Sequence, residues 1–111
     1  MIEVILKNHL DSALAIPVYL EKPVTAPAKY VLMEKTSSSR NNRLDSSTFA
    51  FQSYAGTLYE AALLNEQVKA AADSLVALDE IASVSLNSDY NFTDTATKQY
   101  RYQAVFDIKH Y

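Results

Sequence analysis

The two histidines, His9 and His110, are the side chains of this sequence best suited to moving protons near neutral pH. A nucleophilic mechanism would need a serine activated by one of them. The serines concentrate in the polar segment TSSSRNNR, where hydrogen bonds to their own backbone account for them, and His9 falls on the apolar stripe of a predicted helix. We therefore expect both histidines to be structural residues, and we predict no acyl-transfer site.

The carboxylates could provide acid–base chemistry, but their positions favour other roles. Asp79 and Glu80 end the long predicted helix, and Asp89 and Asp94 lie in or near a predicted turn, so that solubility and turn formation explain them. The sequence has no cysteine and no HExxH spacing, which leaves no common zinc-ligand pattern, and its one glycine cannot build a phosphate-binding loop. We expect a protein without enzymatic activity, cofactor or metal.

Length and charge narrow the class further. The 111 residues fit one domain, 1–111, and the net charge of −3 is too small to predict binding to nucleic acid or to an anionic membrane. The absence of cysteine favours a reducing compartment. Glu3, Lys7, Asn8 and Asp11 interrupt the N-terminal segment, so the sequence predicts neither a signal peptide nor a membrane span. We expect a soluble, intracellular protein.

The first half of the chain alternates between apolar-periodic stretches and polar or proline-rich ones. Apolar residues at helical spacing predict an amphipathic helix over the first fourteen residues. Short strands are predicted at Ile16–Glu21 and Lys29–Lys35, and a third strand contains Phe49 and Phe51. Thr36–Arg43 has no apolar anchor, and we expect it to be a mobile loop that becomes ordered on docking to a partner.

The second half begins with a helix and ends with a hairpin. The sequence TLYE predicts a capping box at Thr57–Glu60, followed by an apolar stripe that runs from Leu58 to Leu78. The last thirty residues alternate with period two, which predicts two antiparallel strands, the second at Lys98–Lys109. The face predicted to lie under the helices carries Val84, Leu86, Tyr90, Phe92, Tyr100, Tyr102, Ala104, Phe106 and Ile108.

Together these elements, in the order α-β-β-β-α-β-β, predict an α+β fold. It consists of a single antiparallel or mixed sheet of four to five strands with two helices packed on one face. The closing hairpin is longer than a typical one, and sheet that extends beyond the core needs a partner to cover it. Candidate partner or assembly contacts are Lys35, Arg40, Arg43, Tyr90, Tyr100 and Tyr102. The alternatives are that the basic residues are solvated and that the tyrosines cover the core.

The element order, together with the stretches YVLMEKTSSSRNN, FAFQSYAGTLYEAALLNEQVKAAADSL and LNSDYNFTDTATKQYRYQAVFDI, resembles the tail terminator, or head–tail joining, proteins of long-tailed, lambda-like phages. The resemblance covers nearly the whole chain. It implies a small α/β subunit that forms a hexameric ring on the end of the tail tube, stops its polymerisation and joins the tail to the filled head. It supplies no catalytic residue.

The resemblance also implies the partners and the location. The partners would be further copies of the chain, the tail tube protein and a head-completion or connector protein, in a virion assembled in the host bacterial cytoplasm. In such a ring the polar face of the closing hairpin could line the channel through which DNA passes without being gripped. Its candidate residues are Ser83, Ser85, Asn87, Asp89, Arg101, Gln103, Asp107 and Lys109. The alternative function is a small intracellular protein-binding module that caps a single partner.

Overall fold

The computed structural model describes residues 1–41 and 43–111. Two α-helices and five strands follow one another in the predicted order, with a short 3-10 helix, Ser74–Ala77, directly after the second α-helix. The α-helices are α1 (Ile2–Ala13) and α2 (Leu58–Asp73), and the strands are β1 (Val18–Tyr19), β2 (Tyr30–Asn41), β3 (Leu44–Ala55), β4 (Ile81–Asn91) and β5 (Tyr100–His110). The predicted α+β class and element order are confirmed.

The five strands form one mixed sheet in the order β1-β2-β3-β5-β4. The two-residue strand β1 runs parallel to β2, and all other neighbours are antiparallel. The predicted strand Ile16–Glu21 is therefore reduced to its central pair, and the amide of Val31 donates to the carbonyl of Pro17. Both α-helices contribute to one hydrophobic cluster on one side of the sheet, called here the helix face; the other side is the open face.

Three phenylalanines form the centre of the core. Phe49, Phe51 and Phe106 are fully buried, and the ring of Phe51 meets that of Phe106 edge-on at 5.8 Å between centroids. Leu6 and Leu10 of α1 join the same cluster, as do further residues of α2. The 3–4 spacing of the helices and the period of two in the strands therefore bring their apolar residues to a common layer.

The start of α2 follows the predicted capping box in part. The hydroxyl of Thr57 accepts the amide hydrogen of Glu60 at 3.1 Å, which satisfies one of the free N–H groups of the first turn. The Glu60 carboxylate does not return to the cap but pairs with Lys29 at 3.1 Å. The helix ends at Asp73, five residues before Leu78, because the 3-10 turn takes over at Ser74, whose hydroxyl donates to the carbonyl of Ala71.

The prediction of a loop at Thr36–Arg43 is wrong for the described residues. β2 continues to Asn41, and its serines pair with β3, for example Ser38 with Ser47 and Ser39 with Ser46. Arg43 lies in the turn with φ 65°, a left-handed conformation that usually calls for glycine or asparagine. Arginine at this position gave no turn signal, and Asn42 lies outside the described residues.

A β-bulge overturns part of the predicted alternation in β4. Its register shifts between Leu86 and Ser88, so the residues that follow point to the faces opposite to those predicted. Asp89 pairs with the core residue Ala104 and lies on the helix face, whereas Tyr90 pairs with Gln103 on the open face. One extra residue therefore exchanges the positions of a carboxylate and an aromatic ring.

Candidate assembly surface

Arg101 organises the open face near the tip of the closing hairpin. Its Nε donates to the carbonyl of Phe92 at 2.7 Å, and its Nη1 donates to the hydroxyl of Tyr54 at 3.0 Å. The guanidinium carbon also lies 4.5 Å from the centroid of the Phe92 ring. Two charge-assisted hydrogen bonds and a cation–π contact hold β3, β5 and the hairpin tip together at one side chain.

A chain of hydrogen bonds leads from Arg101 across three strands. The Tyr54 hydroxyl donates to the side-chain oxygen Oε1 of Gln52 at 3.1 Å, and the side-chain nitrogen Nε2 of Gln52 donates to Oε1 of Gln103 at 2.9 Å. The amide nitrogen of Gln103 in turn donates to the Tyr90 hydroxyl. These residues and Tyr30 are called the open-face network. Gln52, Tyr54 and Gln103 are at least nine-tenths buried although no helix covers them, because the network members cover one another.

Tyr30 closes the network at the β2 side. Its ring stacks on that of Tyr54 at 4.5 Å with an angle of 7° between the planes. Burial raises the pKa of the Tyr30 hydroxyl, and the neighbouring Tyr54 raises it further. Tyr30 therefore stays neutral over the physiological range, and the face gains no negative charge from it.

The other half of the open face is rich in small polar side chains. Asp107 accepts a hydrogen bond from Thr48 at 2.7 Å and another from Asn87 at 3.0 Å. Ser85 pairs with Asp107, and Ser83 pairs with Lys109. Seven of the eight residues predicted for the channel face, all except Asp89, therefore share one side of the sheet.

Asp89, the remaining residue of the eight, does not belong to that surface. Its carboxylate accepts from the amide of Asn65 at 3.4 Å and pairs with Lys69 of α2 at 3.3 Å. A hydrogen bond to Glu66, followed by the contacts with Asp89, raises the pKa of Lys69. The prediction that Asp89 lies on the polar face of the hairpin is wrong, and the bulge at Leu86–Ser88 is the cause. An exposed carboxylate that does lie on the open face is that of Glu34 in β2, which pairs with Ala50.

The six candidate contacts fall in three separate places. Lys35 pairs with Glu3 of α1 at 3.2 Å, Arg40 pairs with Asp45 at 3.0 Å, and Arg43 is exposed in the β2–β3 turn. Tyr90 belongs to the open face. Tyr100 and Tyr102 lie at every second position before Ala104 and Phe106, so they point to the same helix face, as predicted for them. The candidates therefore do not form one site.

Both histidines make hydrogen bonds within the fold. His9 Nε2 lies 2.7 Å from the Ser74 hydroxyl, which already donates to Ala71, so the histidine is the donor. His110 Nε2 lies 3.0 Å from the Ser47 hydroxyl, and both side chains are buried beside a cavity of about 500 Å³ under the start of α1. Sequence reasoning missed this pair, because the residues are 63 positions apart and meet only when β3 lies beside β5.

The sheet has two different edges: β4 forms one, and the two-residue strand β1 with the uncovered part of β2 forms the other. β4 has β5 on one side and no partner among the described residues on the other. β2 has β1 beside Val31 and Leu32 only, so Ser37–Asn41 is also open within the described part of the chain. Backbone N–H and C=O groups at such edges are free to pair with another strand. These edges, together with the open face, form the candidate assembly surface.

Among residues 1–41 and 43–111 there is no group of histidine, cysteine and acidic side chains arranged to hold a metal ion. None of the described helices is long and apolar enough to cross a membrane. No protein-family model matches the chain, and a search of curated proteins found no similar sequence.

Proposed function

We propose that this chain is a ring-forming structural protein of the tail-terminator type, which caps a phage tail tube, stops its polymerisation and joins the tail to the head. The observation that supports it is the pair of unlike open edges on opposite sides of one sheet. Unlike surfaces on one subunit join head to tail, and a head-to-tail contact closes into a ring when its rotation divides a full turn. The resemblance in sequence supports the tail-terminator type and the hexameric size of the ring.

The partners follow from the same proposal. One rim of the ring contacts the tail tube protein and the other contacts a head-completion or connector protein. The two hairpin tips suit these contacts, because the β2–β3 turn and the β4–β5 turn lie at opposite ends of a molecule 44 Å long. The location is the virion, after assembly in the host cytoplasm.

Loss of this protein is expected to release control over tail length. Electron microscopy of particles assembled without it should show overlong tails or tails without heads. Supplying the intact chain in trans should restore both length and joining. Tails of normal length joined to heads in its absence would contradict the proposed function.

The open face is the part of the subunit that we propose lines the ring channel. Its charges are mixed: Glu34 and Lys109 are exposed, and Asp107 and Arg101 are half-buried. The face therefore concentrates no positive charge that would retain DNA. The helices would then lie on the outside of the ring, away from the DNA.

A charge change on this face tests the channel. The double variant Glu34→Lys/Asp107→Lys is expected to assemble rings and to slow DNA exit at low salt, because each added cation that neutralises a phosphate strengthens the contact through counterion release. Ejection should recover as salt is raised. The control is Asp73→Lys, an exposed position at the end of α2. Parental ejection rates in the double variant at every salt concentration would remove the open face from the channel.

A further inference from the structure

The geometry points to a specific subunit contact: Ser37–Ser39 in β2 of one copy pairs as an antiparallel strand with Ser83–Ser85 in β4 of the next copy. The sheet would then continue from subunit to subunit around the ring. This inference rests on the proposed function for the presence of a ring. It adds the partner, a second copy of this chain, and the residues that join the two copies.

Strand direction permits this pairing without inverting a subunit. β2 and β3 are antiparallel, β3 and β5 are antiparallel, and β5 and β4 are antiparallel. β4 therefore runs opposite to β2 within one subunit. Rotation about an axis parallel to the strands preserves direction, so β4 of one copy meets β2 of the next in the antiparallel sense.

The register within the sheet places the two segments at the same height. Ser39 is connected through Ser46 and Lys109 to Ser83, and Ser37 is connected through Thr48 and Asp107 to Ser85. Each chain of partners is a row that crosses the sheet perpendicular to the strands. In a ring without axial offset, rows continue into the next subunit, so Ser39 meets Ser83 and Ser37 meets Ser85.

Irregularities confine the contact to this part of the two edges. β2 has a bulge between Lys35 and Ser37, and β4 has two irregularities, one between Ile81 and Ser83 and one between Leu86 and Ser88. The bulges after Lys35 and after Leu86 flank the row that contains Phe49 and Phe106, and the irregularity before Ser83 ends the regular part of β4 on the other side. Bulges bend an edge and prevent continued pairing, whereas Ser37–Asn41 and Ser83–Leu86 keep a regular ladder with their inner neighbours.

The chemistry of the two segments also favours the contact. Proteins block exposed edges with lysine, proline or inward-pointing charge, and neither Ser37–Ser39 nor Ser83–Ser85 contains any of these. Their serines are small and neutral, so two edges can approach without burying an unpaired charge. Main-chain hydrogen bonds then supply the attraction, as in other complexes formed by strand addition.

Disulfide trapping tests the contact directly, because the natural chain has no cysteine. Two double variants, Ser39→Cys/Ser83→Cys and Ser37→Cys/Ser85→Cys, are incorporated into particles and mildly oxidised. We expect a ladder of covalent multimers on non-reducing gels in at least one of them, because directly opposed residues of an antiparallel pair lie within disulfide reach. On reduction, every covalent multimer should return to the band of the monomer.

A matched control uses a serine outside the proposed contact. Ser88 shares a row with Val105, Ala50 and Glu34, five β2 positions from Ser39. The β2 bulge takes up one of these positions, so the two rows lie four residues apart along β3. Ser39→Cys/Ser88→Cys would need to bridge roughly 13 Å along the strands, so it should give no ladder. The single variant Ser83→Cys should remain monomeric on the gel, and a dimer there would instead indicate symmetric β4–β4 pairing and overturn the inference.

The outcomes for the contact and for the function can be separated. Particles that carry a double-cysteine variant, have tails of normal length and show no cross-link overturn the contact and leave the proposed function intact. Particles that keep normal, head-joined tails when the protein is absent overturn the function itself. A ladder in at least one of the two double variants, with none in the controls, supports the contact.

Discussion

Replacing Phe51 with alanine is expected to lower the free energy of unfolding by about 3–5 kcal/mol. The ring is fully buried, lies 5.8 Å from Phe106 between centroids and stacks on Phe49 at 6.3 Å. The variant loses the transfer free energy of the ring and leaves a cavity that the rigid sheet cannot close. Domains of this size are stable by only about 5–15 kcal/mol, so urea denaturation should show a midpoint reduced by about a fifth or more.

The matched control is Tyr59→Ala on the outer surface of α2. Its side chain is 76% exposed, so the expected change is below about 0.5 kcal/mol. A Phe51→Ala variant as stable as Tyr59→Ala would mean that the three phenylalanines do not form the centre of the core. Both variants replace an aromatic side chain with alanine, so they differ mainly in how deeply that side chain is buried.

The fold class was predictable because it depends on periodicities that tertiary contacts reinforce. The spacing of Leu6, Leu10, Leu64 and Val68 marks faces that any helix would bury, and all four join the core. Alternation in β5 likewise identified Ala104, Phe106 and Ile108 as core residues. Where one face of an element is strongly apolar, the sequence leaves little choice about its orientation.

The errors arose where a single residue decided the structure and left no pattern. The bulge after Leu86 adds one residue to β4, and no composition signal marks it, so Asp89 and Tyr90 were placed on the wrong faces. The serines of β2 have the composition of a loop because they lack apolar neighbours, yet each of them pairs with a residue of β3. The turn at Arg43 and the turn at Lys98, φ 55°, both use a non-glycine residue in the left-handed region.

The candidate surface was predictable in part for a related reason. Arg101, Gln103, Asp107 and Lys109 lie on one regular strand, and period two alone places them together. The members of the open-face network that come from β2 and β3 depend on which strands are neighbours, and no local pattern encodes the order β2-β3-β5-β4. The same holds for the serine rows, which exist only once the register of the whole sheet is set.

Replacing Arg101 with methionine is expected to lower the free energy of unfolding by about 2–3 kcal/mol and to loosen the tip of the closing hairpin. Methionine keeps much of the aliphatic length but loses the hydrogen bonds to Phe92 and Tyr54 and the cation–π contact with the Phe92 ring. Urea denaturation gives the global loss. Amide exchange should in addition rise most at Phe92 and at Asp94–Gln99, where backbone hydrogen bonds close the hairpin.

The variant Arg101→Lys separates the charge from the geometry. Lysine keeps the positive charge, but its single ammonium cannot reproduce the planar fork that reaches a carbonyl and a hydroxyl at once, so the tip should still loosen. If Arg101→Lys restores full protection of the tip, the charge alone is sufficient and the two hydrogen bonds are not what holds it. If Arg101→Met leaves both stability and exchange unchanged, the open-face network does not anchor the hairpin. Loosening of the tip in both variants, with α2 exchange following only the global stability, is the result that the contacts of Arg101 lead us to expect.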